Sequence, residues 1–417
     1  MLKLYIHIGL GKTGTTAIQT ALASNINLLQ KENYLYLGSC FEHLKSNNLL
    51  PKDPSSYNKF LQSLDENELS QHFHEIFAQC HSYCKKNGIE SVIWSWETLA
   101  NNFKGLSSKI AAATKTFSVR IIVYLRRQDK WVESAYQQWA VKHKLFPGPV
   151  PTFDEFLQQI IAWGDLDYYN KIFAWADAFG KENIIVRVYE KEQLQKGLIH
   201  DFFGIVGLQF TDDFRKPHRS NTSFNEDVNQ IFKVYNSLFD KPNYPEQLIK
   251  LLYASLSDKE MKNETSLSIL SPQKRIDILI HCEETNRKVA TEYLGRAEGQ
   301  LFYEPWPDPA EEYLKVSNLT GEAVARIFIQ IILFQEQRIQ QLEQKSNFNN
   351  SSSVKNFPLQ PSIPHKQMNY KIASQVISRL TPIQQIIHSI IIKVATRPQL
   401  NWVYQISGFW KHIFKGK

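Results

Sequence analysis

Leu2-Lys3-Leu4-Tyr5-Ile6-His7-Ile8-Gly9-Leu10-Gly11-Lys12-Thr13-Gly14-Thr15-Thr16-Ala17-Ile18-Gln19-Thr20-Ala21-Leu22 is the stretch that decides the fold. Up to Ile8 every second residue is Leu or Ile, the period of a strand. Beyond Thr16, the residues Ala17, Ile18, Ala21 and Leu22 take up helical spacing. Between them lies a short turn with Gly9, Gly11 and Gly14, one lysine, and Thr13, Thr15 and Thr16. A strand, a glycine turn and a helix start make a phosphate cradle. The first N–H groups of a helix have no partner of their own and point at an anion, and the helix dipole favours its charge. Glycine lets the backbone approach closely. Lys12 adds a full positive charge.

Two familiar cradles come near this pattern without fitting it. The nucleoside-triphosphatase loop needs Gly-x4-Gly-Lys-Ser/Thr. Gly11-Lys12-Thr13 supplies its end, but the leading glycine would stand at Ile6, inside the strand. Gly9, Gly11 and Gly14 have the Gly-x-Gly-x-x-Gly spacing of a dinucleotide site. No acidic residue closes a clear second strand about 20 residues later, as that site requires.

Outward from the loop, strand-like runs recur at Leu2–Ile8, Tyr34–Leu37, Ser91–Ser95, Val119–Leu125 and Ile184–Tyr189. Helical patterns lie between them near 15–30, 66–86, 106–115, 128–143, 153–163, 169–179 and 190–206. Such alternation predicts an α/β fold of three layers: a mostly parallel central sheet with helices on both faces. Residues 224–345 read as helices, among them Gln273–Leu294 and Ala323–Leu342. The expected organisation is a catalytic domain over 1–345, a linker over 346–366 rich in Asn, Ser and Pro, and a basic amphipathic helical tail over 367–417.

The run Val119–Leu125 ends in Arg126-Arg127, and Ser134 follows on the next helical stretch. An arginine at a strand end with a hydroxyl nearby is a second way to hold phosphate. Ligands of open α/β sheets sit beyond the carboxyl ends of the strands, where both features stand. Together they point to a ligand phosphorylated at two separated places.

At this point the chain resembles a family. Gly11-Lys12-Thr13-Gly14-Thr15-Thr16 looks like the 5′-phosphosulfate loop of sulfotransferases that use 3′-phosphoadenosine 5′-phosphosulfate. Arg126 and Ser134 match the Arg and Ser with which that family grips the donor's 3′-phosphate. Ser95-Trp96-Glu97, the segment Phe179–Glu190, Asp201–Leu208 and Asn221-Thr222-Ser223 are similar to bacterial members. The resemblance covers residues 1–305 and implies a P-loop, nucleotide-kinase-like fold. One departure is Gln128, where many members carry Pro after the Arg.

The resemblance implies transfer of a sulfuryl group to an acceptor hydroxyl, expected on a carbohydrate or glycolipid. Lys12 would neutralise charge growing on the oxygen between sulfur and phosphorus. Backbone N–H groups of Thr13 to Thr16, with the hydroxyls of Thr15 and Thr16, would hold the 5′-phosphate. Glu97, just past the third strand, is the candidate general base, with His7 and His218 in reserve. Arg215–Asn221 is a basic loop facing either an anionic ligand or solvent. Trp96 and Trp131 are expected to flank the cleft, where their rings would stack on adenine or a sugar. His72, His74, Cys80 and Cys84 lack zinc spacing. The chemistry requires no divalent metal. A P-loop kinase using ATP and a non-catalytic, membrane-associated nucleotide-binding protein are the alternatives.

Charge divides the chain. From Gln344 to Lys417 there are ten Lys or Arg and no Asp or Glu, which leaves residues 1–343 with 38 basic and 41 acidic residues. The balance argues against a nucleic-acid partner. Over 370–417 an apolar stripe (Ile372, Val376, Leu380, Ile383, Ile387, Ile391, Val394) joins a terminal Trp, Phe and Lys cluster, the composition of a helix lying in an anionic membrane interface. Four irregularly spaced cysteines and a strand beginning at Leu2 predict a cytoplasmic protein, with the tail as a peripheral contact on the inner membrane face.

Overall fold

The computed structural model describes residues 1–44, 51, 53–211, 214–215, 224–237, 239–257, 261, 267–314 and, in part, 327–341. The linker at 346–366, the tail at 367–417, His218, most of the basic loop and Asn221-Thr222-Ser223 lie outside these residues.

Five strands form one sheet: β1 (Leu2–His7), β2 (Tyr34–Tyr36), β3 (Ser91–Ser95), β4 (Phe117–Leu125) and β5 (Ile184–Val188). Their order is β2-β3-β1-β4-β5, and every pairing is parallel. This is the α/β architecture expected from the alternation of elements. The strands' alternating side chains feed two separate cores. Leu4, Ile6, Val92, Trp94, Ile121 and Val123 face one layer, which contains Phe73, Phe77 and Cys80 of α4 (Glu66–Asn87), Ile110 of α5 (Leu106–Ala113), and Ile172 and Trp175 of α8 (Tyr168–Phe179). Tyr5, Ile93, Ile122 and Tyr124 face the other, with Ile18 and Leu22 of α1 (Thr15–Ser24) and Phe202 and Phe203 of α9 (Leu198–Ile205).

Several boundaries differ from the sequence pattern. The helix expected over 15–30 breaks at Asn25 into α1 and α2 (Ile26–Lys31); the Asn25 amide donates to the Ala21 carbonyl at 2.7 Å. The helix expected over 190–206 is only α9, because Glu190 to Gly197 form turns. The helix expected over 128–143 is α6 (Gln128–Ala135) followed by a π-helix, Tyr136–Lys142. One helix, α3 (Pro54–Ser63), falls where the sequence pattern marks no element. Asp53 caps it by accepting the Ser56 N–H at 2.9 Å, and Pro54 opens its first turn. Two further helices, α7 (Phe153–Ala162) and α12 (Pro272–Leu294), complete this compact unit, which comprises residues 1–140, 151–223 and 265–315.

A second unit comprises residues 141–150, 224–264 and 316–417; it includes α10 (Glu226–Asn236) and α11 (Glu246–Ser255), and its described residues within 327–341 are helical. Asn225 caps α10 by accepting the Val228 N–H at 2.9 Å, and Asn236 donates to the Val141 carbonyl at 2.6 Å. The helical part read over 224–345 is therefore shared between the units, with α12 belonging to the sheet-bearing one. No helix among the described residues is long and apolar enough to cross a membrane.

Candidate active site

In this strand order β1 is central: β2 and β3 lie on one side of it, and the chain then crosses to β4 on the other. The carboxyl ends of these three strands deliver Lys12, Glu97 and Arg126 to one rim, the switch point where open sheets hold ligands.

The loop after β1 is built for close approach. Gly14 has φ +85°, and a Cβ there would stand 2.3 Å from the Leu198 side chain, so any other residue would be strained. Gly14 also occupies the cap position of α1 without any side-chain cap. Among the described residues no group accepts the N–H of Thr13, Gly14, Thr15 or Thr16, which is the arrangement an anion would complete. Lys12 itself holds a left-handed φ of 68°, uncommon outside glycine. Its ammonium donates to the Gln138 side-chain oxygen and stands close enough to Glu97 to act on its charge.

The three threonines differ. Thr13 is fully buried and its hydroxyl donates to the Leu10 carbonyl at 2.5 Å, so it braces the loop. Thr15 is 1% exposed; its hydroxyl faces Glu97 but has no partner in hydrogen-bond geometry. Thr16 is exposed at the start of α1. A buried, unpartnered hydroxyl beside unpaired N–H groups fits a phosphate-bearing ligand.

Glu97 opens the short 3₁₀ helix Glu97–Asn101 after β3. Crowding by protein raises its pKa above the usual carboxylate range, opposed by the Lys12 ammonium and the Thr15 hydroxyl. The residue still presents an exposed surface, so solvent screens part of these effects. His7, one reserve base, is wholly buried in the sheet. Its Nδ1 pairs with Ser95 Oγ at 2.8 Å, Nε2 has no partner, and burial lowers its pKa to about 3. It packs edge-on against Tyr124 and Phe202, a core histidine away from any substrate.

The paired arginines after β4 go separate ways. Arg126 is half-buried and its guanidinium donates to the Lys12 carbonyl at 3.1 Å. Arg126 therefore leans directly on the loop after β1. Arg127 turns into the protein: it forks onto Asp129 with two bonds of 2.9 Å and donates to the carbonyls of Glu304 and Pro305. Arg275 binds the same carboxylate at 3.0 Å. Burial works to raise the Asp129 pKa, but the two guanidinium groups outweigh it and hold that carboxyl below its usual range. Gln128 sits at the first position of α6 and exchanges two hydrogen bonds with Asn286 of α12, at 2.6 and 3.0 Å. Ser134 lies half-buried in the last turn of α6 and makes no hydrogen bond to Arg126.

Both tryptophans expected to flank the cleft are 2% exposed and offer no open ring face. Trp96 packs against Tyr57 and Trp94. Trp131 donates its indole N–H to the Gly11 carbonyl at 2.6 Å and meets Trp139 edge-on. They are supports of the site. Two partners of the loop have no sequence signature: Gln138 on Lys12, and Trp139, whose ring would lie 3.1 Å from a Cβ at Gly11. Beside Arg126 opens a cavity of about 400 Å³, lined also by Arg127, Lys130, Tyr189, Lys191 and Phe302, with Glu190, Glu192 and Glu304. Of the basic loop only Arg215 is described; its backbone exchanges two hydrogen bonds with Asn25.

His72 accepts or donates a 2.8 Å bond with the Tyr57 hydroxyl, and all four cysteines are free and buried. Among the described residues no group of three or more His, Cys, Asp or Glu is arranged to hold a metal.

No protein-family profile matches the chain. An uncharacterized protein of Archaeoglobus fulgidus is 28% identical over 208 residues, which are 50% of this chain and 54% of that protein. The chain thus spans about half the length of the curated relative it matches. Among solved structures, the sulfotransferase from Alicyclobacillus acidocaldarius aligns over 60% of this chain and 96% of its own, at 16% identity and TM-score 0.32. The sulfotransferase domain from the curacin biosynthetic pathway aligns over 67% and 96%, at 12% identity and TM-score 0.31. At these values neither likeness carries weight on activity.

Proposed function

We propose that this chain is a sulfotransferase that takes its sulfuryl group from 3′-phosphoadenosine 5′-phosphosulfate and passes it to a hydroxyl of a carbohydrate or glycolipid. The observation that carries this reading is the 3.1 Å bond from Arg126 to the Lys12 carbonyl, with Glu97 beside the Lys12 side chain. It supports the reading by bringing two cationic residues and a carboxylate to one rim, as a doubly phosphorylated donor and a hydroxyl acceptor need.

The donor supplies an activated sulfur–oxygen bond, which breaks as the acceptor oxygen bonds to sulfur and leaves its electron pair on the 5′-phosphate. Glu97 takes the acceptor's proton, and a pKa raised by burial makes it a stronger base than an ordinary carboxylate. Lys12 neutralises the charge that appears on the phosphate oxygen. The free N–H groups of Thr13 to Thr16 and the Thr15 hydroxyl hold the 5′-phosphate, and Arg126 with Ser134 holds the 3′-phosphate. Tyr189 and Phe302 give the adjacent cavity aromatic walls suited to a base.

A kinase reading has one observation in its favour: Glu97 follows β3, next to the loop strand, where a metal-holding acid would stand. Against it, the Thr13 hydroxyl that would reach the metal is committed to Leu10, and Ile6 occupies the place of the first glycine. Calorimetry with adenosine 3′,5′-bisphosphate and with ATP plus Mg²⁺ separates the two. Tight binding of the bisphosphate alone supports sulfuryl transfer, and preference for Mg-ATP refutes it. For the tail at 370–417 the same reading is contact with an anionic membrane from the cytoplasmic side. Equal co-sedimentation with anionic liposomes before and after its deletion would refute that contact.

A further inference from the structure

At Tyr136 the ladder of α6 gives way to the π-helix that runs to Lys142. Such widened turns are rare and concentrate at functional sites. In an α-helix consecutive side chains point about 100° apart and do not serve one target. Here two consecutive residues both meet the loop after β1: Gln138 accepts a hydrogen bond from the Lys12 ammonium, and the Trp139 ring edge lies against Gly11. Trp131, from the preceding α-helical turns, holds the Gly11 carbonyl at 2.6 Å and touches Trp139 with ring centroids 5.5 Å apart. The indoles fix the backbone ahead of Lys12, and the amide meets the far end of its side chain.

We propose that Gln138 is a positioning residue for Lys12, fixing where its ammonium stands between Glu97 and the mouth of the loop. This rests on the reading of Lys12 as the charge that meets the donor. A lysine has much rotamer freedom, so its charge is useful at one oxygen only if something restrains it. A neutral amide oxygen restrains an ammonium and leaves its charge intact for an anion. A carboxylate at the same place would restrain it and cancel it, and Glu97 already supplies one negative charge nearby.

Two variants separate these roles. Gln138→Met keeps length and bulk and removes the acceptor; Gln138→Glu keeps an oxygen and adds charge. The first readout needs no donor: the pH dependence of reductive methylation of Lys12, followed by peptide mass spectrometry. The second compares kcat, KM and calorimetric binding of adenosine 3′,5′-bisphosphate. In Gln138→Met, Lys12 should methylate faster with its midpoint moved to lower pH. Its kcat should fall about 10-fold, while bisphosphate binding and thermal stability hold. In Gln138→Glu, methylation should slow and bisphosphate binding should weaken about 10-fold. Wild-type methylation in Gln138→Met overturns the proposal, as does a wild-type kcat. If the wild-type protein binds no bisphosphate, the donor reading fails by itself. Accelerated methylation in Gln138→Met would then still support Gln138 as the holder of the ammonium, and unchanged methylation would still refute it.

Discussion

Arg126 and Arg127 are neighbours in sequence and should respond to substitution in opposite ways. Arg127 is 4% exposed, bonded twice to a fully buried Asp129 and twice to backbone carbonyls of the segment at Glu304 and Pro305. Arg127→Ala leaves Asp129 with Arg275 alone and strands two carbonyls. Breaking a buried pair from one side costs about 3–5 kcal/mol. In a domain of this size that lowers Tm by about 6–20 °C. Arg126→Ala gives up one hydrogen bond to the Lys12 carbonyl, worth about 1 kcal/mol, so its Tm should move by only a few degrees. Its loss should appear in binding. A charged hydrogen-bonding contact to phosphate is worth about 1.5–3 kcal/mol, or about 10- to 150-fold in Kd for adenosine 3′,5′-bisphosphate. Adenosine 5′-monophosphate, which lacks the second phosphate, should lose far less affinity for Arg126→Ala, only what the missing bond to the Lys12 carbonyl costs the loop. Scanning calorimetry and titration calorimetry on both variants decide the matter. The argument fails if Arg126→Ala melts as early as Arg127→Ala, or if it binds the bisphosphate as wild type does.

Lys12→Ala should lower kcat by about 10²–10³ with binding of the bisphosphate weakened far less, and near-normal turnover would remove Lys12 from the chemistry. Glu97 must be ionised to accept a proton, so kcat/KM should rise with pH through its raised pKa, and Glu97→Gln should abolish that limb; an unchanged pH profile in the variant eliminates Glu97. Gly11→Ala places a methyl 3.1 Å from the Trp139 ring, tighter than ordinary contact, and should weaken bisphosphate binding several-fold; wild-type affinity would show that the loop does not depend on this packing. His7 should stay neutral in the folded protein down to a pKa of about 3, whereas unfolded it titrates near 6.5. Its contribution to stability is therefore complete above about pH 6.5 and declines by up to about 1.4 kcal/mol per pH unit below it, as the unfolded chain takes up the proton first. A His7 ring found charged by NMR at pH 5 would contradict its burial.

The strands were legible because each is a short apolar run with a clear end. β3 lies where the pattern puts it, and the others differ by one or two residues at an end. α3 was missed although Asp53-Pro54 is a cap followed by a helix-opening proline and Tyr57 and Leu61 share one buried face; the signal was present beneath a polar stretch. The segment after β5 was read as helix because Glu190 to Gln195 are good helix formers. Tertiary structure overrides that propensity: the Glu190 carboxylate accepts the N–H groups of Tyr303 and Glu304 at 2.9 and 2.7 Å. That Lys12, Glu97 and Arg126 share one rim was legible because each follows a strand, and strand ends are readable. Gln138 was not, because its position depends on a π-helix that has no pattern in sequence. The division of labour between Arg126 and Arg127 was equally invisible, since it is set by Asp129, Arg275 and the chain near 304, far away in sequence.

The site's precision follows from its connectivity. The strand that delivers Arg126 continues directly into α6 and the π-helix, so one uninterrupted piece of chain carries Arg126, Trp131, Ser134, Gln138 and Trp139. Four bonds or contacts from that piece reach the loop after β1: at the Lys12 carbonyl, the Lys12 ammonium, the Gly11 carbonyl and the Gly11 Cα. The loop therefore cannot shift without the arginine's helix, nor the helix without the loop. α6 is anchored in turn at its first residues, through the Gln128 and Asn286 amides and the Asp129 cluster, to α12 and the segment near 304. A substitution in that anchor, such as Asn286→Leu, removes no group from the rim. It removes both Asn286 bonds from the buried Gln128 side chain and leaves only a 3.5 Å bond to the Leu166 carbonyl, and the resulting freedom of α6 should act on Arg126 and the loop after β1 together. The expected signature is weaker binding of the bisphosphate and a lower kcat from a residue on the far side of α6. A variant that loses stability alone, with Kd and kcat intact, would show that the loop holds its shape without the helix.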